Sequence, residues 1–308
     1  MKYPFAKPLM GPEERAAVDA VLKQSTLVHG KKNRELEEKF AERLGVKNAI
    51  AVSSATAGLT IISRWLDPIV PAMTHVATAH GFDKPIFTDD CVWDGTWADK
   101  ALNIDTSPEA HGVAVYSLYP SKNLTCGGDG GIIATDDDDI AEACRSLRAF
   151  GYSDRNGLIY DVSALGTNAR LSEIHAAIAV EQLKKLDGFQ ERREENAEVL
   201  LEEIEFLREE APSGPLEAET IGDLYCVNIY VEKRDYIVSQ LQDKGIGVSI
   251  HYPKVVPLLA YYKLKYGHKE GDFPKAEEIA RTAISLPIGP HLSVKNMKYI
   301  AEAVCTSV

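Results

Sequence analysis

The chain has 308 residues, a formal charge of -12 and an isoelectric point near 5.2. That balance excludes a broad basic face of the kind that binds nucleic acid through its phosphates, so any anionic ligand must be held locally. With 45% hydrophobic and 26% charged residues, the composition is that of a packed globular protein, long enough for one large domain and a smaller one.

The five cysteines, Cys91, Cys126, Cys144, Cys226 and Cys305, form no CxxC pair. Neither a disulfide framework nor a zinc site is expected, and a reducing cytoplasm fits best. The opening MKYPFAKPLMGPEE has no apolar run of signal-peptide length, and no stretch of 18 apolar residues occurs, so the sequence predicts an untargeted protein with no membrane partner.

In chain order, Asn33–Leu44 reads as an amphipathic helix, with Leu36, Phe40 and Leu44 spaced by four. Asn48–Val52 reads as a short buried strand, Ser53–Thr56 as a polar turn and Ala57–Leu66 as an apolar helix. Further strands are predicted at Ile69–Met73, Pro85–Thr88, Gly112–Leu118 and Gly130–Ala134. This alternation implies an α/β domain. Leu171–Leu207 is helical and densely charged, and Pro212, Gly214 and Pro215 break it. A boundary near Gly188 divides a large domain, 1–188, from a small α+β domain, 189–308. The latter is expected to hold strands at Tyr225–Val231 and Gly247–Tyr252 and helices at Asp235–Lys244 and from Val294.

The stretch Ser117-Leu118-Tyr119-Pro120-Ser121-Lys122-Asn123-Leu124 follows a predicted strand and leads into Gly127-Gly128-Asp129-Gly130-Gly131. A lysine enclosed there has its neutral amine favoured by desolvation and is suited to Schiff-base chemistry. A lysine beside a turn is ordinarily a solvated ammonium, however, so Lys122 alone settles nothing. The Ser53–Ala57 turn offers backbone donors and hydroxyls at a helix start, which suits a phosphate or a plain helix cap.

Taken together, Gly30, SSATAGL at 53–59, PAMTHVATA at 71–79, SLYPSKNLTCGGDGG at 117–131, LGTNARLSEIHAAIAVEQLKKLD at 165–187 and HYP at 251–253 resemble the DegT/DnrJ/EryC1/StrS family of sugar aminotransferases. So does the later FPKAEEIARTAISLPIGPHLS. The resemblance covers nearly the whole chain. It implies a fold type I transferase: a large domain with a central, mostly parallel sheet, and a small C-terminal α+β domain. It also implies pyridoxal 5'-phosphate carried on Lys122, the catalytic residue. Thr56, Ala57 and Ser117 are implied to hold the cofactor phosphate, although Ala55 replaces the commoner glycine. His75 stands where the family has an aromatic residue stacked on the cofactor ring; otherwise it is a hydrogen-bonded core histidine. Asn168 matches an asparagine that reaches the partner's cofactor phosphate, which implies a homodimer with shared sites.

Between Ala79 and Asp90 the chain is short compared with this family, and two alignments compete. In one, FTDDCVWDG carries the carboxylate, Asp90, that keeps the pyridine nitrogen protonated. In the other, KPIFTDD and ALNID match earlier family segments and the strand bearing that carboxylate is missing. A buried ring nitrogen without a partner carries a desolvation cost of about a few kcal/mol, which favours the first. The expected reaction transfers an amino group from an amino acid such as L-glutamate to a nucleotide-linked keto sugar. The alternatives are a cofactor-binding paralogue with a regulatory or assembly role, and a sugar dehydratase. Dehydratase relatives carry histidine at the lysine position, so Lys122 speaks against the latter.

Overall fold

The computed structural model describes residues 1–63, 102–103, 112–156, 159–210, 216–221 and 224–308. The strands predicted at 69–73 and 85–88 lie outside these residues, as do His75 and Asp90.

Two helices open the chain, α1 (Pro12–Leu22) and α2 (Lys31–Leu44). They are followed by β1 (Asn48–Val52), α3 (Ala55–Ser63), β2 (Leu102–Asn103), β3 (Val113–Ser117), β4 (Gly131–Thr135) and α4 (Asp138–Leu147). The four strands form one sheet in the order β1-β4-β3-β2. Every residue of β4 is buried, which is why it reads as an unbroken apolar run: both of its faces are covered. On one face Ala49, Ala51, Tyr116, Ile132 and Ala134 pack against Leu36 and Phe40 of α2. On the other, Ile50, Val52, Val113, Val115 and Ile133 pack against α3 and α4 through Leu59, Ile62, Ile140 and Cys144. The expected α/β layering is therefore present.

The expected mostly parallel order is not found among the described strands, whose ladders are all antiparallel. For the β3–β4 ladder the reason is local. β3 returns into its neighbour β4 through residues 118–130, without the crossover that parallel neighbours require.

A hairpin of β5 (Tyr152–Asn156) and β6 (Ile159–Val162) precedes the long helix α5 (Glu173–Glu210). Beyond it lie β7 (Glu217–Ile221), β8 (Cys226–Tyr230), α6 (Arg234–Asp243), a short 3-10 turn (Val256–Leu258), α7 (Ala260–Tyr266), α8 (Pro274–Thr282), β9 (Ala283–Leu286) and α9 (Val294–Cys305). The strands of this second unit form an antiparallel sheet, β7-β8-β9. The predicted strand at 247–252 is reduced to a single bridge between Ser249 and Ser285. Its backbone donors go to different partners, Gly247 N to Tyr3 O (2.7 Å) and Ser249 N to Ser285 O (3.1 Å).

Gly188 lies inside α5, which runs through without a break. The helix serves two cores, with Leu186 in the one beneath the large sheet and Ala197, Leu200 and Ile204 in that of the second unit. Tyr3 also belongs to the second core.

Two buried carboxylates tie α5 to the N-terminal helices. The Glu173 carboxylate accepts from Gly30 N (2.9 Å), Lys32 N (2.8 Å), Asn33 N (2.9 Å) and Asn33 Nδ2 (2.6 Å), so it caps α2 from a distant part of the chain. Gly30 is required for this approach, since a Cβ there would stand 2.4 Å from Glu173 Oε2. Burial pushes the Glu173 carboxyl up, and these hydrogen bonds outweigh it and hold it below the usual range. Glu14 of α1 accepts from Lys185 Nζ (2.7 Å), Gln182 Nε2 (2.8 Å) and Gly11 N (2.6 Å). Burial again opposes, yet its carboxyl is held at about 2.

Both groups have folded-state values below the roughly 4.3 of an unfolded glutamate, so they stabilise the fold above that pH and lose the contribution as pH falls through their folded values. Glu173→Gln is expected to cost about 2 kcal/mol in urea unfolding at neutral pH, because charge-assisted bonds are replaced by weaker ones at an amide. The variant should also lose less stability than the parent as pH is lowered below roughly 4.3.

Candidate active site around Lys122

Lys122 lies in the β3–β4 connection. Lys122 N donates to Tyr119 O (2.8 Å), closing a four-residue turn with Pro120 at its second position, where the fixed proline φ is favourable. Leu118 O then accepts from Cys126 N (3.0 Å) and Thr125 Oγ1 (3.1 Å), and Asn123 Nδ2 donates to Gln190 Oε1 on α5 (3.1 Å). The loop is thus pinned to its own start and to the long helix, with Lys122 half-buried.

Strand register assembles the rest. Gly131, first residue of β4, pairs with Val52 on one side and Ser117 on the other. The Ser53–Ala57 turn that follows Val52 therefore sits at the same sheet end as Ser117 and the Lys122 loop. A Cβ on Gly131 would stand 2.7 Å from Ala55 N, so the missing side chain lets the turn lie against the sheet. Ser54 Oγ accepts from Ala57 N (3.1 Å) and caps α3. Thr56 is exposed beside it. Ser117 Oγ accepts from Tyr119 N (3.4 Å), which leaves the hydroxyl hydrogen to donate.

Asn168 reaches the same end, because Ser53 N donates to Ala169 O (2.8 Å). It is exposed, and its Oδ1 accepts from Arg170 Nε (3.0 Å). Thr56, Ala57, Ser117, Lys122 and Asn168 thus gather at one end of the sheet. A helix start, small residues and hydroxyls there suit a phosphate, and an amine on the adjoining loop suits a carbonyl. Pyridoxal phosphate carries both groups, so these residues fit it.

The second unit supplies a wall that the sequence did not disclose. Lys122 Nζ stands 4.5 Å from the centroid of the Tyr225 ring. Tyr225 OH donates to Ser121 Oγ (3.3 Å), and Arg193 of α5 donates to Tyr225 O (3.2 Å). Phe5 and His251 lie against Tyr225, with ring centroids 5.8 and 5.7 Å away. Both ring nitrogens of His251 are hydrogen-bonded, Nδ1 to Ser285 Oγ (2.9 Å) and Nε2 to Ser249 Oγ (3.2 Å). Burial first, and then the positive charge of Lys122, pushes the imidazole down to about 4. The HYP motif pointed to His251, but nothing local in the sequence marked Tyr225 or Phe5.

A larger cavity, about 900 Å³, opens between α4 and the β5–β6 hairpin, lined by Asp139, Arg145, Tyr152 and Ser163 among others. None of the expected site residues lines it. Size is therefore a poorer guide here than the convergence of motifs at the sheet end.

Residues 8–84 and 107–305 match the profile of the DegT/DnrJ/EryC1/StrS aminotransferase family. The chain belongs to that family. Spore coat polysaccharide biosynthesis protein SpsC of Bacillus subtilis is 27% identical over 376 aligned positions, covering 98% of this chain and 96% of the relative. A dTDP-3-amino-3,4,6-trideoxy-alpha-D-glucose transaminase of Streptomyces venezuelae is 37% identical over 193 positions, 62% of this chain and 49% of that protein. Among solved structures, S. venezuelae DesV in complex with a ketimine intermediate has a TM-score of 0.80 at 26% identity, covering 96% of this chain and 94% of that one. This aminotransferase thus has the fold of the type I enzymes. Its alignment with SpsC runs over more positions than the chain has residues, so the relative carries segments without counterpart here. The gap between the matched stretches, 85–106, holds Asp90.

Because the folded His251 titrates near 4 and an unfolded histidine near 6.5, the unfolded chain binds the extra proton first, and stability falls as pH drops between those values. His251→Gln is expected to flatten that part of the stability–pH curve, measured by urea unfolding between about pH 7 and 4.

Proposed function

We propose that this aminotransferase moves an amino group from an amino acid, L-glutamate first among donors, to the carbonyl of a nucleotide-linked keto sugar, with pyridoxal phosphate on Lys122. The single observation that carries the reading is the convergence of the Lys122 loop, the Ser53–Ala57 turn and Ser117 at one sheet end. The family membership and the sugar transaminase among the relatives support it.

When bound, the cofactor supplies an electron sink for charge developing at the donor α carbon. Lys122 holds it covalently and, once released, its neutral amine takes the proton from that carbon. Thr56, Ala57 and Ser117 bind the phosphate through the α3 start and hydroxyls. Asn168, exposed at the same end, reaches the phosphate in a second copy, so the working unit is a homodimer. His75 stacks on the ring, and Asp90 holds the proton on its nitrogen. Both belong to the reading through the sequence alone. The Tyr225–Phe5–His251 wall keeps water from the amine on the side of the second unit. A cytoplasmic setting, where nucleotide sugars and reduced thiols coexist, is part of the same reading; among the described residues no helix is long and apolar enough to cross a membrane.

A visible absorbance spectrum with added pyridoxal phosphate tests the proposal. The expected result is a band absent in Lys122→Ala and converted by L-glutamate to the shorter-wavelength absorbance of the aminated cofactor. A band dependent on Lys122 but inert to amino acids would favour the non-catalytic paralogue, and no band at all would remove the reading.

A further inference from the structure

We propose that Tyr225 is a positioning residue for Lys122: its ring face, presented by the second unit, holds the Lys122 ammonium that forms once the amine, freed from the cofactor, has taken up a proton. The proposal rests on the reading of Lys122 as the cofactor lysine and adds a resting place for the freed group.

The geometry has three parts. Lys122 Nζ lies 4.5 Å from the Tyr225 ring centroid, within the range over which a ring face attracts an ammonium. The ring cannot swing away freely, because Tyr225 OH is bonded to Ser121, the residue preceding Lys122, and Tyr225 O is held by Arg193. Phe5 and His251 pack against the ring. Tyr225 is 6% exposed, so the contact forms in a largely dry setting, where such attraction is strongest.

Several of the described neighbours carry no negative charge at neutral pH. His251 is held neutral above about pH 4 by burial and by the Lys122 charge. Burial raises the Cys226 thiol to about 12, leaving it uncharged at neutral pH. Burial also raises the Tyr225 hydroxyl. Arg193 and Lys7, which line the adjoining recess with Lys122, are cations and repel an ammonium. Contact with the ring narrows the rotamers of a flexible lysine, and that narrowing removes entropy from the next step.

Two readouts on the full chain freed of cofactor test this. The first is NMR of lysine labelled at Cε, with Lys122 assigned by Lys122→Arg. A ring face this close shifts the ε-methylene protons upfield of the other lysines; the shift should persist in Tyr225→Phe and vanish in Tyr225→Leu. The second is modification of Lys122 by an amine reagent, read as the ratio of its rate at neutral pH to its alkaline plateau. Tyr225→Leu should raise that ratio about five-fold, the loss of roughly 1 kcal/mol of preference for the ammonium, and Tyr225→Phe should leave it unchanged. A packing role alone would not move the ratio. An unshifted Lys122 signal in the unmutated protein overturns the proposal even if Tyr225→Leu does not fold, and so does an unchanged ratio in a folded Tyr225→Leu. Failure to bind pyridoxal phosphate while the ring shift is present would instead count against the cofactor assignment.

Discussion

The site depends on the packing of β4 between β1 and β3, with glycine at its first position. β4 is buried on both faces and hydrogen-bonded on both edges, and a slip that brought Ile132 to the place of Gly131 would set a side chain where even a Cβ stands 2.7 Å from Ala55 N. That fixed register sets Val52, Gly131 and Ser117 in one row. The missing side chain of Gly131 lets the turn that opens α3 close onto the same row. The loop between β3 and β4 has only 13 residues to return, so it must carry Lys122 past this end of the sheet.

α5 extends the arrangement to the second unit. Its first residue, Glu173, caps α2; Gln182 and Lys185 hold Glu14 of α1; Gln190 holds Asn123 beside the lysine. Three residues later Arg193 grips the backbone of Tyr225, and Asn196 Nδ2 donates to Ile288 O (3.1 Å). One rigid helix therefore sets the distance between the loop that bears the amine and the wall that faces it. The same helix lies in both cores, so a change in the packing of one unit is transmitted to the other through side chains that already touch the site.

Much of this was legible in the sequence, for identifiable reasons. α2, β1, β3, β4 and α5 carry long or unbroken apolar patterns, and tertiary packing reinforced rather than overrode them. The Ser53–Ala57 turn and the Lys122 loop were legible as motifs because their chemistry is local. Strand direction among the described strands was not, since a doubly buried strand reads the same whichever way its neighbours run. The strand expected at 247–252 dissolved because its donors are divided between Tyr3 and β9, a competition visible only once the chain start is seen to pair there. Tyr225 went unnoticed because its contact with Lys122 spans more than a hundred residues of sequence, Phe5 because it packs on Tyr225 from the start of the chain, and Glu173 because its partners begin at Gly30. The Asn156-Gly157 pair was a hairpin signal that could have located β5 and β6.

Trapping tests directly whether the fold delivers one particular amine to a bound aldehyde. The protein is incubated with pyridoxal phosphate, reduced with borohydride and digested, and the peptides are weighed by mass spectrometry. The expected result is a single stoichiometric pyridoxyl adduct on the peptide containing Lys122. An adduct spread over surface lysines, or one on another lysine with Lys122 unmodified, would contradict it.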